Sequence, residues 1–294
     1  MRKKATVVGP SIVVFIAAGI AGIAIVPTDP AVRAIHRGAV GAAAETSIVT
    51  AAAGAGMARA AAQPDFSAEW PALVERIERA HIGGDLQDLR SARADCRRLL
   101  DAAAAGPPRA QLRYALAYVN WRLLNHPDVT DGDERDDLGD EAVELLRENI
   151  AADDADVEAH ALLGAVYGRQ ITSMWRGMTL GRRASAALDT AREIDERNPR
   201  FLLIKGVEMY HRPGMMGGGA DDAEPWLRAA VGFFEAQPAD PPWPNWGRAD
   251  AYAWLGRTLA ALDDEAGARE QYEKALAVEP DFDWVREVLL PRLR

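Results

Sequence analysis

The chain of 294 residues has a single cysteine, Cys96, so no disulfide can form within it. Cys96 falls on the apolar side of a predicted helix with Leu89, Leu99 and Leu100, the setting of a buried structural thiol. A catalytic thiol would need a base beside it, and none is suggested. Strand alternation over a useful length is missing, which excludes a core built on sheets. No two histidines have metal-ligand spacing on one face, and there is no Ser-His-Asp set and no framed pair of carboxylates. The run Gly214-Met215-Met216-Gly217-Gly218-Gly219 lacks the Gly-Lys-Ser/Thr ending and the preceding strand of a phosphate loop. Asp221, Asp222 and Glu224 behind it would repel phosphate. It reads as a flexible loop before a capping box of Asp221 and Glu224, its two methionines a hint of an apolar contact surface. Asp128, Asp131, Asp133, Asp136 and Asp137 do not follow the calcium-loop spacing and read as a solvated acidic linker. With no convergent acid, base or nucleophile, no enzyme, no cofactor and no metal is expected.

Positive charge is also short. The net charge is −10. Residues 1–63 hold six basic groups and two acidic ones, a net of +4, so the remainder carries −14. Such a domain argues against nucleic acid as a partner and against docking on anionic lipid.

What the chain does have begins at its first residues. Met1-Arg2-Lys3-Lys4 is basic, and residues 5–26 follow without a charge before Pro27-Thr28-Asp29-Pro30. That stretch can span a bilayer as a helix, with the basic end in the cytoplasm and the rest exported. A second Ala/Gly-rich stretch, 38–62, ends in Ala58-Arg59-Ala60, an A-x-A site for a signal peptidase. Both features predict export; they differ on whether the domain is released or stays anchored. The only membrane contact expected is through this segment.

From Asp65 the sequence reads as helix after helix. Trp70, Leu73, Val74 and Ile77 follow i, i+3, i+4, i+7 spacing, and Gly83-Gly84 breaks that helix. Asp85 can cap the next, whose end is marked by Gly106-Pro107-Pro108. Three units are expected: a leader over 1–63, a helical pair over 64–109, and a solenoid over 110–294.

The most specific pattern lies in residues 249–282. Tyr252, Leu255, Gly256 and Leu259 lie on one helix; Ala268, Tyr272 and Ala275 lie on a second, which Pro280 ends. Asp263 and Asp264 suit the turn and the next N-cap. This spacing resembles the tetratricopeptide repeat almost position for position. Two stretched copies precede it, Leu163-Gly164 and Tyr167 with Ala184, Leu188 and Ala191, and Gly206 and Met209 with Ala223, Leu227 and Ala230. In both, the connection between the halves is longer, which predicts extended loops at 170–183 and 210–222. Asn198-Pro199-Arg200 and the Pro213…Gly217-Gly218-Gly219…Ala223 arrangement look like a group of bacterial periplasmic tetratricopeptide proteins, some associated with tripartite ATP-independent periplasmic transporters.

The resemblance implies an all-α, right-handed solenoid of helix pairs, closed by a capping helix at 283–290. It implies a non-enzymatic scaffold of the cell envelope that binds a protein or peptide, or a small-molecule-binding component of an envelope transport system. An open groove would favour the first, a closed pocket beneath the long loops the second. In the repeat family the first helix of each pair lines the groove, which points to Arg169, Arg200, Tyr210, His211, Asp250 and Arg257 as partner contacts. His160 replaces a bulky aromatic and is expected to pack. His211 ends a helix, where its cation would be favoured. Trp243 and Trp246 project from the proline-rich stretch 237–246, either as rings of a rigid connector or as an aromatic contact for a partner.

Overall fold

A computed structural model describes residues 66–238 and 241–293. The apolar stretch 5–26 and Ala58-Arg59-Ala60 lie outside these residues. Among the described residues ten α-helices follow one another: α1 (Phe66–Gly83), α2 (Leu86–Ala102), α3 (Pro107–Asn125), α4 (Gly132–Ala152), α5 (Val157–Arg169), α6 (Met174–Ile194), α7 (Pro199–His211), α8 (Ala220–Glu235), α9 (Arg248–Ala261) and α10 (Glu265–Val278). A π-helical stretch, Trp284–Leu289, and a 3-10 turn, Leu290–Arg292, end the described chain. Among the described residues there is no strand, and no helix is long and apolar enough to cross a membrane.

The helices form five antiparallel pairs. The odd-numbered helices pack on one another in the inner layer, and each even-numbered helix covers its partner from outside. Sequence explains the division. In α5 residues 161–168 are apolar, and 161–169 are buried without a break. The outer helices are one-sided. Each carries a small-x3-large-x2-small stripe turned inward: Ala184, Leu188 and Ala191 on α6, Ala223, Leu227 and Ala230 on α8, Ala268, Tyr272 and Ala275 on α10. The same stripe recurs with substitutions as Ala92, Cys96 and Leu99 on α2 and as Ala142, Leu146 and Asn149 on α4. Opposite each of the last three stripes sits a glycine. A Cβ at Gly164 would stand 2.7 Å from Leu188, one at Gly206 2.6 Å from Leu227, and one at Gly256 2.5 Å from the Tyr272 ring. These contacts are below van der Waals separation, so only glycine lets the paired helices cross this closely.

Several local expectations are revised. Pro107 and Pro108 do not end α2; they start α3, where a missing N–H costs nothing. Asp131 caps α4 at 2.8 Å from the Glu134 N–H, so half of the acidic 128–137 stretch is helix rather than linker. The 170–183 segment is not a long loop. Ser173 caps α6, and Gly177 and Gly181 extend its buried stripe by two turns. At 210–222 the extra residues form the 3-10 turn Gly214–Met216 and a turn through Gly217 and Gly219, both at positive φ. The Gly219 N–H donates to the Met209 carbonyl at 2.9 Å, so this turn is tied back to α7. Gly219, not Asp221, is the N-cap of α8, and Glu224 pairs with Arg228 instead of closing a capping box. His160 does not pack; it is half-exposed, 3.1 Å from the Asp154 carbonyl.

Candidate functional site

The inner face is where a repeat solenoid would offer a groove, and here the chain itself fills it. Residues 241–247 run across the inner layer. Trp246 is buried, stacks on Tyr118 with ring centres 4.8 Å apart, and donates its indole N–H to the Tyr114 hydroxyl at 3.2 Å. Trp243 meets Trp70, Tyr114 and Tyr118 edge-on at 5.6–6.2 Å. Both rings therefore hold α1 and α3 to the entrance of α9, and Gly247 at φ 108 turns the chain into that helix. Asn245 hydrogen-bonds Glu78 on α1. Side chains of the first helix pair thus reach the entrance and first turn of the last one.

Charged groups complete this contact. His81 near the end of α1 shares a 2.9 Å hydrogen bond with Asp250 in the first turn of α9, and Arg122 on α3 stands 3.7 Å from the same carboxylate. Burial and the Arg122 charge keep His81 below its ordinary pKa, so Nε2 donates as a neutral imidazole while Nδ1 has no partner. Burial alone would push Asp250 up, but His81 and Arg122 together hold it below the usual carboxylate range. One negative charge thus meets one positive charge and one donor. A cavity of ≈ 50 Å³ adjoins the pair, and its lining holds no serine or cysteine. Arg200 is equally committed. Its Nε lies 2.8 Å from both oxygens of Glu158, which also accepts from Asn198 Nδ2 at 2.7 Å, and Nη1 reaches the Trp246 carbonyl at 3.3 Å. Asp250 and Arg200, expected as partner contacts in an open groove, are buried in internal pairs, and of the two readings of Trp246 its burial fits the ring of a connector packed on neighbouring helices.

Arg169, Tyr210, His211 and Arg257 behave differently. They gather where α5 and α7 end beside the middle of α9. Arg257 spreads its guanidinium over three rings, Trp254 at 4.9 Å, Tyr210 at 5.1 Å and Trp284 at 5.9 Å from the ring centres. His211 meets Trp254 at 5.4 Å and Tyr210 at 5.3 Å, edge-on. Arg169 is only 7% exposed, and its Nε and the His211 Nε2 have no hydrogen-bond partner. Among the described residues no carboxylate pairs with Arg169 or Arg257. Burial and then Arg135 lower Arg169 to about 10. Burial, Arg257 and Arg169 push His211 down to about 4, so the imidazole is neutral at pH 7. The expectation of a favoured cation at this helix end fails because burial, and after it two guanidiniums, outweigh the helix terminus, worth about half a charge.

The outer surface carries a broad groove. It lies between α4 and α6, encloses ≈ 880 Å³, and is lined by Val143, Arg147, Tyr167, Trp175, Leu180 and Arg183 among others. Trp175, in the first turn of α6, is 78% exposed there, and Met178 one turn on is 47% exposed. Composition could have flagged Trp175; only the extension of α6 shows that it stands on a helix beside a groove. Met215, at 84% exposed in the glycine-rich turn, is another large apolar group presented to solvent.

No family model matches the chain, and no curated protein matches it in sequence. Solved structures share its architecture. The HusA haemophore from Porphyromonas gingivalis superposes with a TM-score of 0.54 at 21% identity, over 69% of this chain and 96% of that one. A thermophilic tetratricopeptide repeat protein from Thermus thermophilus gives 0.53 at 19% identity, over 76% of this chain and 95% of that one. Both are likenesses of fold, an all-α repeat solenoid of tetratricopeptide type.

Proposed function

We propose that this tetratricopeptide-like repeat protein is a non-enzymatic scaffold of the cell envelope that binds a protein or peptide, exported behind residues 1–63. The observation that carries the reading is Trp175. A tryptophan left 78% exposed beside a groove of ≈ 880 Å³ has no structural duty there, and aromatic anchors of this kind dominate protein interfaces. With the inner face occupied by residues 241–247, this reading puts the partner on the outer α4–α6 face. A photo-crosslinking residue at Trp175 should give discrete adducts in intact cells, and the same group at exposed Arg197 should not. Trp175→Ala should then weaken the identified partner at least tenfold while leaving the melting temperature unchanged. Equal adducts from both positions would overturn this reading. Export is tested by fractionation with a C-terminal tag: full-length protein in the cytosol, shielded from protease added to spheroplasts, would refute it.

A second reading, a small-molecule-binding component of an envelope transport system, is favoured by the unpaired cationic cluster around Arg169. One solved neighbour is named a haemophore, so an architecture of this kind is compatible with a small cargo.

A further inference from the structure

Burying a guanidinium without a counter-charge costs several kcal/mol unless something repays it. The domain has carboxylates to spare, at a net charge near −14 outside the leader, and it uses them elsewhere on the inner face, at Asp250 and Glu158. Among the described residues none is spent on Arg169 or Arg257. The nearest acidic residue in sequence to His211, Glu208, is already matched by Lys205 at 2.8 Å and Arg212 at 2.5 Å. Arg135 is turned away to the Leu124 and Val129 carbonyls, 3.0 Å each. What remains is two guanidiniums and a neutral imidazole with a bare nitrogen, backed by aromatic rings. Arg169 and Trp254 are buried, whereas Tyr210, His211, Arg257 and Trp284 are half-exposed.

We propose that Arg169, His211 and Arg257 bind the oxyanion of a small ligand, a carboxylate or a phosphate ester, whose apolar body lies against Tyr210, Trp254 and Trp284. This rests on the small-ligand reading and deepens it; the outer-groove reading stands apart. Guanidiniums match oxyanions with paired N–H donors, and a planar guanidinium stacked on rings keeps its edge free to donate. A flat apolar body completes the match to the rings. The unpaired charge is then a standing cost of the free protein that the ligand removes, a common pattern where function and stability conflict.

Calorimetric titration of the full chain with phenylacetate, phenyl phosphate and neutral 2-phenylethanol tests this. One or both anions should bind at 1:1 stoichiometry, and the alcohol should not. Arg169→Gln and Arg257→Gln should each weaken the anion at least tenfold. Arg169→Gln should melt no lower than the parent, which a structural role for Arg169 would not permit. Arg257→Lys guards against misfolding of Arg257→Gln and should retain part of the affinity. The His211 titration, followed by NMR, should move upward when the anion binds. Phenylacetate alone marks the ligand as a carboxylate, phenyl phosphate alone as a phosphate ester. Binding of 2-phenylethanol as well as the anions would keep a small-ligand site and overturn the oxyanion. No binding of any probe at millimolar concentration by a protein with an intact melting transition would overturn both.

Discussion

α9 carries two charged residues two turns apart, and they live in opposite circumstances. Asp250, at its start, is matched by His81 and Arg122 across the contact of α1 and α3 with α9. Arg257, further along, has only aromatic faces for company, with Arg169 and His211 nearby and equally unpartnered. Both clusters are inner-layer and rich in rings. The first joins elements far apart in sequence and balances its charge, as a structural lock must. The second brings α5, α7 and α9 together and leaves its charge unbalanced among the described residues. Buried polar groups that serve the fold are satisfied within it; those left unsatisfied call for another explanation.

The sharpest way to break the comparison is to remove one charge from each cluster. Asp250→Ala strands Arg122 and deprives His81 of its acceptor at the contact that holds α1 to α9. Losing one partner of a buried ion pair costs about 3–5 kcal/mol. Thermal and urea unfolding should show that loss, whereas Arg169→Gln should be neutral or stabilising. Equal losses in the two variants would erase the distinction between lock and site.

The lock could not be read from the sequence, because His81 and Asp250 lie 169 residues apart and no local spacing reports such a pair. The repeat itself was legible where several positions agree at once, as in Gly256 against Ala268 and Tyr272. It is fainter on α2 and α4, where Cys96 and Asn149 stand at stripe positions held elsewhere by other residues. Asn149 also does work an alanine cannot, donating to the Ala110 carbonyl at 2.9 Å to hold the start of α3. Repeat spacing alone misleads at 170–183, because the extra residues, Gly177 and Gly181 among them, lengthen a packed helix and not the loop before it. Of the expected contact residues, Arg169, Tyr210, His211 and Arg257 do converge. Arg200, Asp250, Trp243 and Trp246 go to internal contacts, since which inner side chains find internal partners depends on the whole chain.

Acid separates the clusters next. His211 falls to about 4 in the folded protein against about 6.5 unfolded. A depressed histidine contributes stability that is fully present above the unfolded value. That stability is lost as pH falls from about 6.5 toward 4, because the unfolded chain then binds the extra proton. The loss is at most about 3 kcal/mol. His81 is lowered too and adds its own share. His211→Gln should therefore flatten, without abolishing, the acid slope of the unfolding free energy between those limits. An unchanged slope would mean that His211 is not held neutral by burial and the two guanidiniums.

A change that touches no charge supplies the control. Gly256 lies beside Arg257 but faces the outer layer, with the Ala268 carbonyl 3.0 Å and the Tyr272 ring 2.5 Å from where a Cβ would be. Gly256→Leu should overpack that crossing and lower stability by roughly 1–3 kcal/mol or more. An unchanged melting temperature would mean that 249–282 is not a packed repeat, and the positions of both clusters along α9 would lose their basis.

The smallest effect divides charge from shape within the unpaired cluster. Arg257 does two things: its charge depresses His211, and its plane rests on Tyr210, Trp254 and Trp284. Lysine keeps the first and loses most of the second, because an ammonium is compact, more strongly hydrated and cannot stack. Arg257→Lys should thus cost about 0.5–1 kcal/mol in unfolding free energy, the scale of partly exposed cation–π contacts. His211, followed by its imidazole NMR shifts, should titrate as low as before, at about 4. If the His211 pKa instead rises toward its ordinary value while stability holds, the guanidinium acts on His211 through fixed geometry, and the cluster is a positioned set of donors whose net charge matters less than its shape.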